Sequence, residues 1–273
     1  MSNRRLWLRI LVPVIAAALV AGWWFVHGDP GAGPRTPSTA ASAGGHSPLG
    51  EETVMQRFSP KGCKDQCPTV KVSTLRFDNA PKLTATLRRQ LLGMAQLGGD
   101  KPHKTPSDFK AYAAQLFDDS EAMRRQNPEI APYSADFKAR VVARRDGVLV
   151  VRLDTYTFLG GAHGMPVTYY RVIDEDQQRI LSLGDMLEPG QHKAFEAKLR
   201  AAHTRWAKQQ PLDMSNWPFT PSDNAAPMAD GMAVTYQAYD IGPYAMGQPT
   251  LTIPYDQLHG ILKPRFIPGS NAD

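Results

Sequence analysis

Arg145-Asp-Gly-Val-Leu-Val-Val-Arg-Leu-Asp-Thr-Tyr-Thr-Phe158 sets an Asp146-Gly147 pair in front of a long β-branched and apolar run, and residues 134–145 lead into the same pair with strand-like alternation. An Asp-Gly pair between two such runs is a strong hairpin signal, because both turn positions favour positive φ. The spacing predicts strands over about 134–145 and 148–158. Downstream, Val167 to Asp174 reads as a third strand. The polar turn Glu175-Asp176-Gln177 returns it to a short strand at Arg179–Leu181. Consecutive hairpins, without strand–helix alternation, predict antiparallel sheet and the α+β class. The expected architecture is a single domain of two lobes, 51–140 and 141–273, with helices packed on one side of the sheet.

Upstream of the hairpin, Thr69 to Phe77 alternates as a half-buried strand does. Pro81 then opens a helix, with Asn79 or Asp78 as its cap and Leu83, Leu87, Leu91 and Met94 at helical spacing; Gly98-Gly99 ends it. Thr105-Pro-Ser-Asp-Phe109 opens a second helix that puts Phe109, Tyr112, Ala113, Leu116 and Phe117 on one face and stops before Asn127-Pro128. A third helix is expected at about 190–209, with Phe195, Leu199 and Trp206 apolar. The remainder is strand-like at Trp217-Pro-Phe219, Gly231–Gln237 and Thr250–Pro254, and Tyr255 begins a short helix.

The N-terminus has a different character. Arg4, Arg5 and Arg9 precede an uncharged run from Ile10 to Val26, and Trp23 and Trp24 stand at its far end. At 1.5 Å per residue the run spans roughly 26 Å, near the lower limit for crossing a bilayer core. Basic residues stay inside, so the expectation is a cytoplasmic segment 1–9, an inner-membrane signal anchor at 10–27 and a periplasmic C-terminal domain. A cleaved signal peptide has similar order, but Leu19-Val20-Ala21 is a weak cleavage site. Residues 28–50, rich in Gly, Pro, Ser and Ala, read as a flexible linker.

Residues 1–50 carry four of the 31 Lys/Arg and one of the 26 Asp/Glu, so the domain itself is near +2. A balance this even gives nucleic-acid binding no support. The two cysteines, Cys63 and Cys67, are expected to pair as a disulfide in an oxidising envelope. Zinc needs further ligands nearby, and a redox motif needs a closer spacing.

Several segments together resemble the RsiV-type ectodomain family. They are Tyr156-Thr-Phe-Leu-Gly-Gly-Ala-His-Gly164, Leu181-Ser-Leu-Gly-Asp-Met186, Tyr236-Gln-Ala-Tyr-Asp-Ile-Gly-Pro-Tyr-Ala-Met-Gly247 and Leu251-Thr-Ile-Pro-Tyr-Asp-Gln-Leu258. In order and spacing the resemblance covers about residues 69–262. Members of that family include an anti-sigma factor that binds lysozyme and the N-terminal module of a peptidoglycan deacetylase. The resemblance implies an envelope binding module connected with peptidoglycan or with enzymes that cut it. Fewer than ten residues precede the membrane segment and no deacetylase domain follows the module, so neither full activity is expected here.

Two loops are the expected binding surface, Gly160–Met165 and Tyr239–Gly247. Both are Gly-rich, both interrupt strand-like runs, and loops on a rigid sheet collect binding residues. The first contributes Gly160, Gly161, His163 and Gly164; the second contributes Tyr239, Asp240, Tyr244 and Met246. His163 reads either as a partner contact or as a ring that ties down its own loop. Tyr239 and Tyr244 read either as exposed anchors or as core plugs, with Tyr244 expected as the main anchor. Tyr156 and Phe158 are expected in the core. His103, His192, His203 and His259 are scattered and show no metal-binding pattern. Asp154, Asp174 and Asp240 lack any spacing that marks a catalytic pair, and no nucleophile elbow occurs. The expectation is therefore no enzyme, no cofactor and no metal. The expected partner is a lysozyme-like peptidoglycan hydrolase, captured and inhibited, as by a lysozyme inhibitor or an immunity protein. The alternative is direct binding of peptidoglycan strands, or weak wall-modifying activity. A domain near +2 gains no overall attraction for a basic lysozyme, which favours a less basic hydrolase unless an acidic patch such as Asp118, Asp119 and Glu121 serves.

Overall fold

The computed structural model describes residues 48–95, 97 and 106–270. The expected cytoplasmic segment, the membrane anchor, residues 28–47 of the linker and the Gly98-Gly99 helix end lie outside the described residues. Among the described residues no helix is long and apolar enough to cross a membrane.

The predicted hairpin stands at the centre of a six-stranded sheet. Its strands are β1 (Glu51–Phe58), β2 (Thr69–Phe77), β3 (Ser134–Arg145), β4 (Val148–Phe158), β5 (Met165–Asp174) and β6 (Arg179–Leu181), hydrogen-bonded in chain order. Asp146 and Gly147 turn β3 into β4 with φ of 49° and 71°, the doubly left-handed geometry that a two-residue hairpin favours. Neighbouring strands are antiparallel except β2 and β3, which run parallel from Thr69↔Ser134 to Ser73↔Lys138. A parallel pair needs a long crossover. Helices α1 (Pro81–Met94) and α2 (Phe109–Gln126) lie within that connection. Asp108 caps α2 by accepting from the Ala111 N–H at 2.8 Å, whereas α1 has Ala80 at its cap and no side-chain cap, contrary to the expected Asn79 or Asp78.

Strand β1 escapes sequence reading because Glu-Glu-Thr-Val-Met-Gln-Arg-Phe shows no apolar alternation. It is an exposed edge strand held by its ladder with β2, from Glu51↔Phe77 to Phe58↔Val70. The Cys63–Cys67 disulfide lies in the β1–β2 connection, with Cα atoms 5.9 Å apart. Leu49, inside the expected linker, is buried; its N–H donates to Glu175 Oε1 at 3.1 Å and its carbonyl accepts from Arg144 at 2.7 Å. The linker therefore ends before Leu49.

Both faces of the sheet are used. Leu149, Val151, Leu153 and Ile173 join a cluster with Leu83, Leu87 and Leu91 of α1 and Phe109, Tyr112 and Leu116 of α2. Val148, Val150, Tyr170 and Val172 join a second cluster on the opposite face. That cluster includes α4 (His192–Lys208) and a three-stranded antiparallel sheet of β7 (Ala225–Pro227), β8 (Gly231–Thr235) and β9 (Thr250–Pro254). A short α3 (Leu183–Met186), held by a Ser182–Asp185 capping box, connects β6 to this half. The structure is thus α+β with largely antiparallel sheets. The helices divide between the two clusters, α1 and α2 in one and α4 in the other. The 140/141 lobe division falls inside β3. Residues 148–151 are buried on both faces, which is why the start of β4 reads as continuous apolar sequence. Trp217-Pro-Phe219, expected as strand, is irregular.

The second sheet covers only one end of the opposite face. Thr168–Tyr170 of β5 pair with β4 on one edge, but β6 reaches only Val172–Asp174 on the other, and side-chain amides take the place of a strand there. Asn224 accepts from the Tyr170 N–H at 2.8 Å and donates to the Thr168 carbonyl at 2.9 Å. Gln237 accepts from the Thr168 N–H at 3.0 Å and donates to the same carbonyl at 2.7 Å. These amides satisfy backbone groups that would otherwise be buried without partners.

Candidate functional site

Gln237 is also where the second predicted loop leaves the core. Tyr236 and Ile241 are buried and anchor residues 236–241, and the Tyr236 hydroxyl donates to the Thr220 carbonyl at 2.8 Å. Burial, and then the nearby Asp240 charge, push the Tyr236 hydroxyl well above its usual pKa. Asp240 accepts from the Gln237 N–H at 2.7 Å and closes a tight turn. That turn holds Tyr239 at φ 74°, left-handed backbone that a bulky residue rarely adopts, with its side chain 44% exposed. Residues held in such conformations cluster at functional sites.

The turn brings the loop against the first predicted loop, between β4 and β5. The His163 and Tyr244 rings stack, with centroids 3.7 Å apart and planes 19° apart. The Tyr239 and Tyr244 centroids are 5.7 Å apart. The Tyr244 hydroxyl donates to the Gly164 carbonyl at 2.7 Å, and Gly164 N–H donates to the Tyr156 hydroxyl at 3.1 Å. His163 Nδ1 lies 3.1 Å from the Gly164 carbonyl. Since a carbonyl only accepts, this contact assigns the proton to Nδ1. Nε2 faces the Tyr239 hydroxyl at 3.4 Å.

The glycines divide by role. Gly160 has φ 76°, and a Cβ there would come within 2.7 Å of Ile130. Gly164 is needed for a different reason, because the Tyr156 ring occupies the space a side chain would fill. Gly161 has open space and no left-handed backbone. Met246 is half-buried, with its sulfur packed over Gly242.

The structure therefore brings the two loops together in one exposed cluster of His163, Tyr239, Tyr244 and Tyr156. Neither Tyr239 nor Tyr244 is a core plug; Tyr236 and Ile241 fill that role. Tyr244 is half-buried, and its hydroxyl is engaged within the protein. Tyr156, expected in the core, is 39% exposed. It lies on the same face of β4 as Arg152 and Asp154, and that alternation is the sequence signal that its aromatic character hides. Asp154, Asp174 and Asp240 have separate partners: Arg152 with Thr168, Arg265 with the Gln177 N–H, and the Gln237 N–H. His192 approaches Asp223 at 3.6 Å, and His203 is buried beside Trp206 and Phe219; His103 lies outside the described residues. Among the described residues no group of three or more His, Cys, Asp or Glu is placed to hold a metal.

A family model described as a protein of unknown function, DUF3298, matches residues 184–256, and one described as deacetylase PdaC matches residues 62–166. The second match contains the His163 loop and the first contains the Tyr239–Gly247 loop, so the cluster forms where the two matched segments meet. The crystal structure of a DUF3298 family protein from Pseudomonas aeruginosa PAO1 superposes with a TM-score of 0.70 at 34% identity, covering 82% of this chain and 98% of that one. A member of the same family from Bacteroides fragilis NCTC 9343 shares the fold, with a TM-score of 0.61 at 20% identity over 82% of this chain and 98% of that one. No curated protein matches the chain.

Proposed function

This chain belongs to the DUF3298 family, and we propose that it is a cell-envelope binding protein that captures and inhibits a lysozyme-like peptidoglycan hydrolase. In this reading residues 10–27 hold it in the inner membrane and the folded domain works in the periplasm. The observation that carries the proposal is the pre-assembled aromatic tip, in which strained Tyr239 stands exposed over the His163–Tyr244 stack. Tyrosines offer large contact area with few rotors, so a rigid pair loses little entropy on binding. A glycosidase presents a groove with two carboxylates flanking the scissile bond. An exposed surface of rings, hydroxyls and glycine backbone suits such a groove. The resemblance to RsiV-type ectodomains supports the same partner class, and the match to the deacetylase PdaC model supports a wall-related setting.

The experiment is inhibition of a panel of muramidases on cell-wall suspensions by the full chain in detergent. Wild type should inhibit at least one of them at micromolar concentration or below. Since Tyr244 is engaged inside the cluster, Tyr239 is the direct anchor. Loss of an anchor costs about 2 kcal/mol or more, roughly thirtyfold in affinity. Tyr239→Ala should therefore weaken inhibition by about that factor with an unchanged unfolding midpoint. A panel without inhibition, or a Tyr239→Ala variant as potent as wild type, overturns the proposal.

A further inference from the structure

The second sheet leaves part of the six-stranded sheet uncovered, and the registers show what that face presents. One row across the strands reads Arg57↔Lys71↔Asp136↔Tyr156. The next reads Met55↔Ser73↔Lys138↔Asp154↔Thr168, and Arg140 stands opposite Arg152 beyond it. Residues opposite one another share a face, so these side chains form one surface that ends at the buried Thr168. From β1 to β4 it crosses three strand spacings, about 14 Å at roughly 4.8 Å each. A shallow cleft of about 550 Å³ lies at its β1–β3 end, lined by Arg57, Lys71 and Lys138 among others.

Five cations, Arg57, Lys71, Lys138, Arg140 and Arg152, face only two carboxylates, Asp136 and Asp154. Lys71 lies 3.9 Å from Asp136, and Asp154 takes Arg152 at 2.7 Å and Arg140 at 3.6 Å. Arg57 and Lys138 have no ion pair among the described residues. The face therefore carries a local excess of positive charge that the near-neutral domain does not share. At the β4 end of the strip the exposed Tyr156 ring is fixed by its hydrogen bond from Gly164.

We propose that this open face binds an extended, carboxylate-bearing polysaccharide, with the cations pairing with its carboxylates and Tyr156 packing on a sugar ring. Charge complementarity selects an acidic ligand. The strip crosses the strands and is open to solvent, so it suits a chain passing over the sheet. A fixed ring at one end offers the apolar C–H face of a pyranose a surface that a plain polyanion cannot use.

The test titrates the full chain in detergent, by calorimetry, with three probes: an oligogalacturonate, the same oligomer as its neutral methyl ester, and a polyglutamate of equal charge. The oligogalacturonate should bind at least about tenfold more tightly than either of the other two. An exposed ion contact is worth about two- to fivefold in affinity. Arg57→Gln with Lys138→Gln should therefore weaken oligogalacturonate binding by roughly tenfold, with an unchanged unfolding midpoint because neither side chain has an ion-pair partner to lose. Equal binding of the ester shows that charge does not select the ligand, and equal binding of polyglutamate reduces the strip to charge attraction. Either result, an unaffected double variant, or no binding of oligogalacturonate overturns the proposal. The double variant leaves Tyr239 and Tyr244 in place, so muramidase inhibition reports separately on the loop-borne function.

Discussion

Replacing Asn224 by Ala tests whether side-chain amides stand in for a missing strand beside β5. The Asn224 side chain makes three hydrogen bonds, from the Tyr170 N–H at 2.8 Å, to the Thr168 carbonyl at 2.9 Å and to the Thr235 carbonyl at 3.0 Å. The two carbonyls keep other donors, Gln237 at 2.7 Å for Thr168 and the Ser222 hydroxyl at 3.5 Å for Thr235. Tyr170 N–H is left alone, and Tyr170 is only 8% exposed. A buried donor without a partner costs about 1–3 kcal/mol, and weakening two further bonds brings the expected loss to about 2–4 kcal/mol. Asn224→Asp keeps the acceptor for Tyr170 but points a carboxylate oxygen at two carbonyls, so it should destabilise at least as much. Urea unfolding followed by tryptophan fluorescence measures the loss, and amide hydrogen exchange at Tyr170 locates it. A loss below about 1 kcal/mol with unchanged exchange at Tyr170 would refute the reasoning, because water would then replace the amide at no cost.

Gly160→Ala forces a Cβ into left-handed backbone and against Ile130; it should cost about 1–3 kcal/mol, while Gly161→Ala, facing open space, should stay within about 0.5 kcal/mol, and equal effects on the urea midpoint would contradict the assigned backbone. Burial, and then the Arg200 charge, lower the His203 pKa, so the folded state takes up this proton less readily than the unfolded chain. The His203 contribution is therefore fully present above the unfolded value of about 6.5 and is lost as pH falls from there toward the lower folded value. His203→Phe should flatten that part of the stability–pH curve between pH 7 and 5, and a variant with the wild-type slope would show that another group is responsible.

The central hairpin was legible because turn chemistry and alternation agree at Asp146-Gly147, and a local signal of that strength needs no tertiary context. The helices were legible from the spacing of Leu83, Leu87 and Leu91 and of Phe109, Tyr112 and Leu116, which the structure buries together. Strand β1 was not, because an edge strand held by backbone hydrogen bonds has no apolar period to read. The parallel β2–β3 pairing was not either. It depends on which strand the chain reaches after two helices, and no residue in β2 or β3 encodes that choice locally.

The candidate site shows the same division. Glycines and tyrosines mark the two loops, residues 160–165 and 239–247, and those loops touch. What the sequence hides is how they are joined. The stack of His163 on Tyr244 spans 81 positions of chain, and Gln237 reaches Thr168 across 69. Such contacts depend on the second sheet covering β5 only as far as Tyr170 and leaving Thr168 to the two amides. Where that cover stops, β4 changes from Val148 and Val150 to Arg152, Asp154 and Tyr156 on the same face. Apolar burial is demanded up to that edge and no further. Sequence reveals the change in residue type, but only the placement of the second sheet explains why polar and aromatic side chains become the surface along β4 toward the loop that Tyr156 contacts.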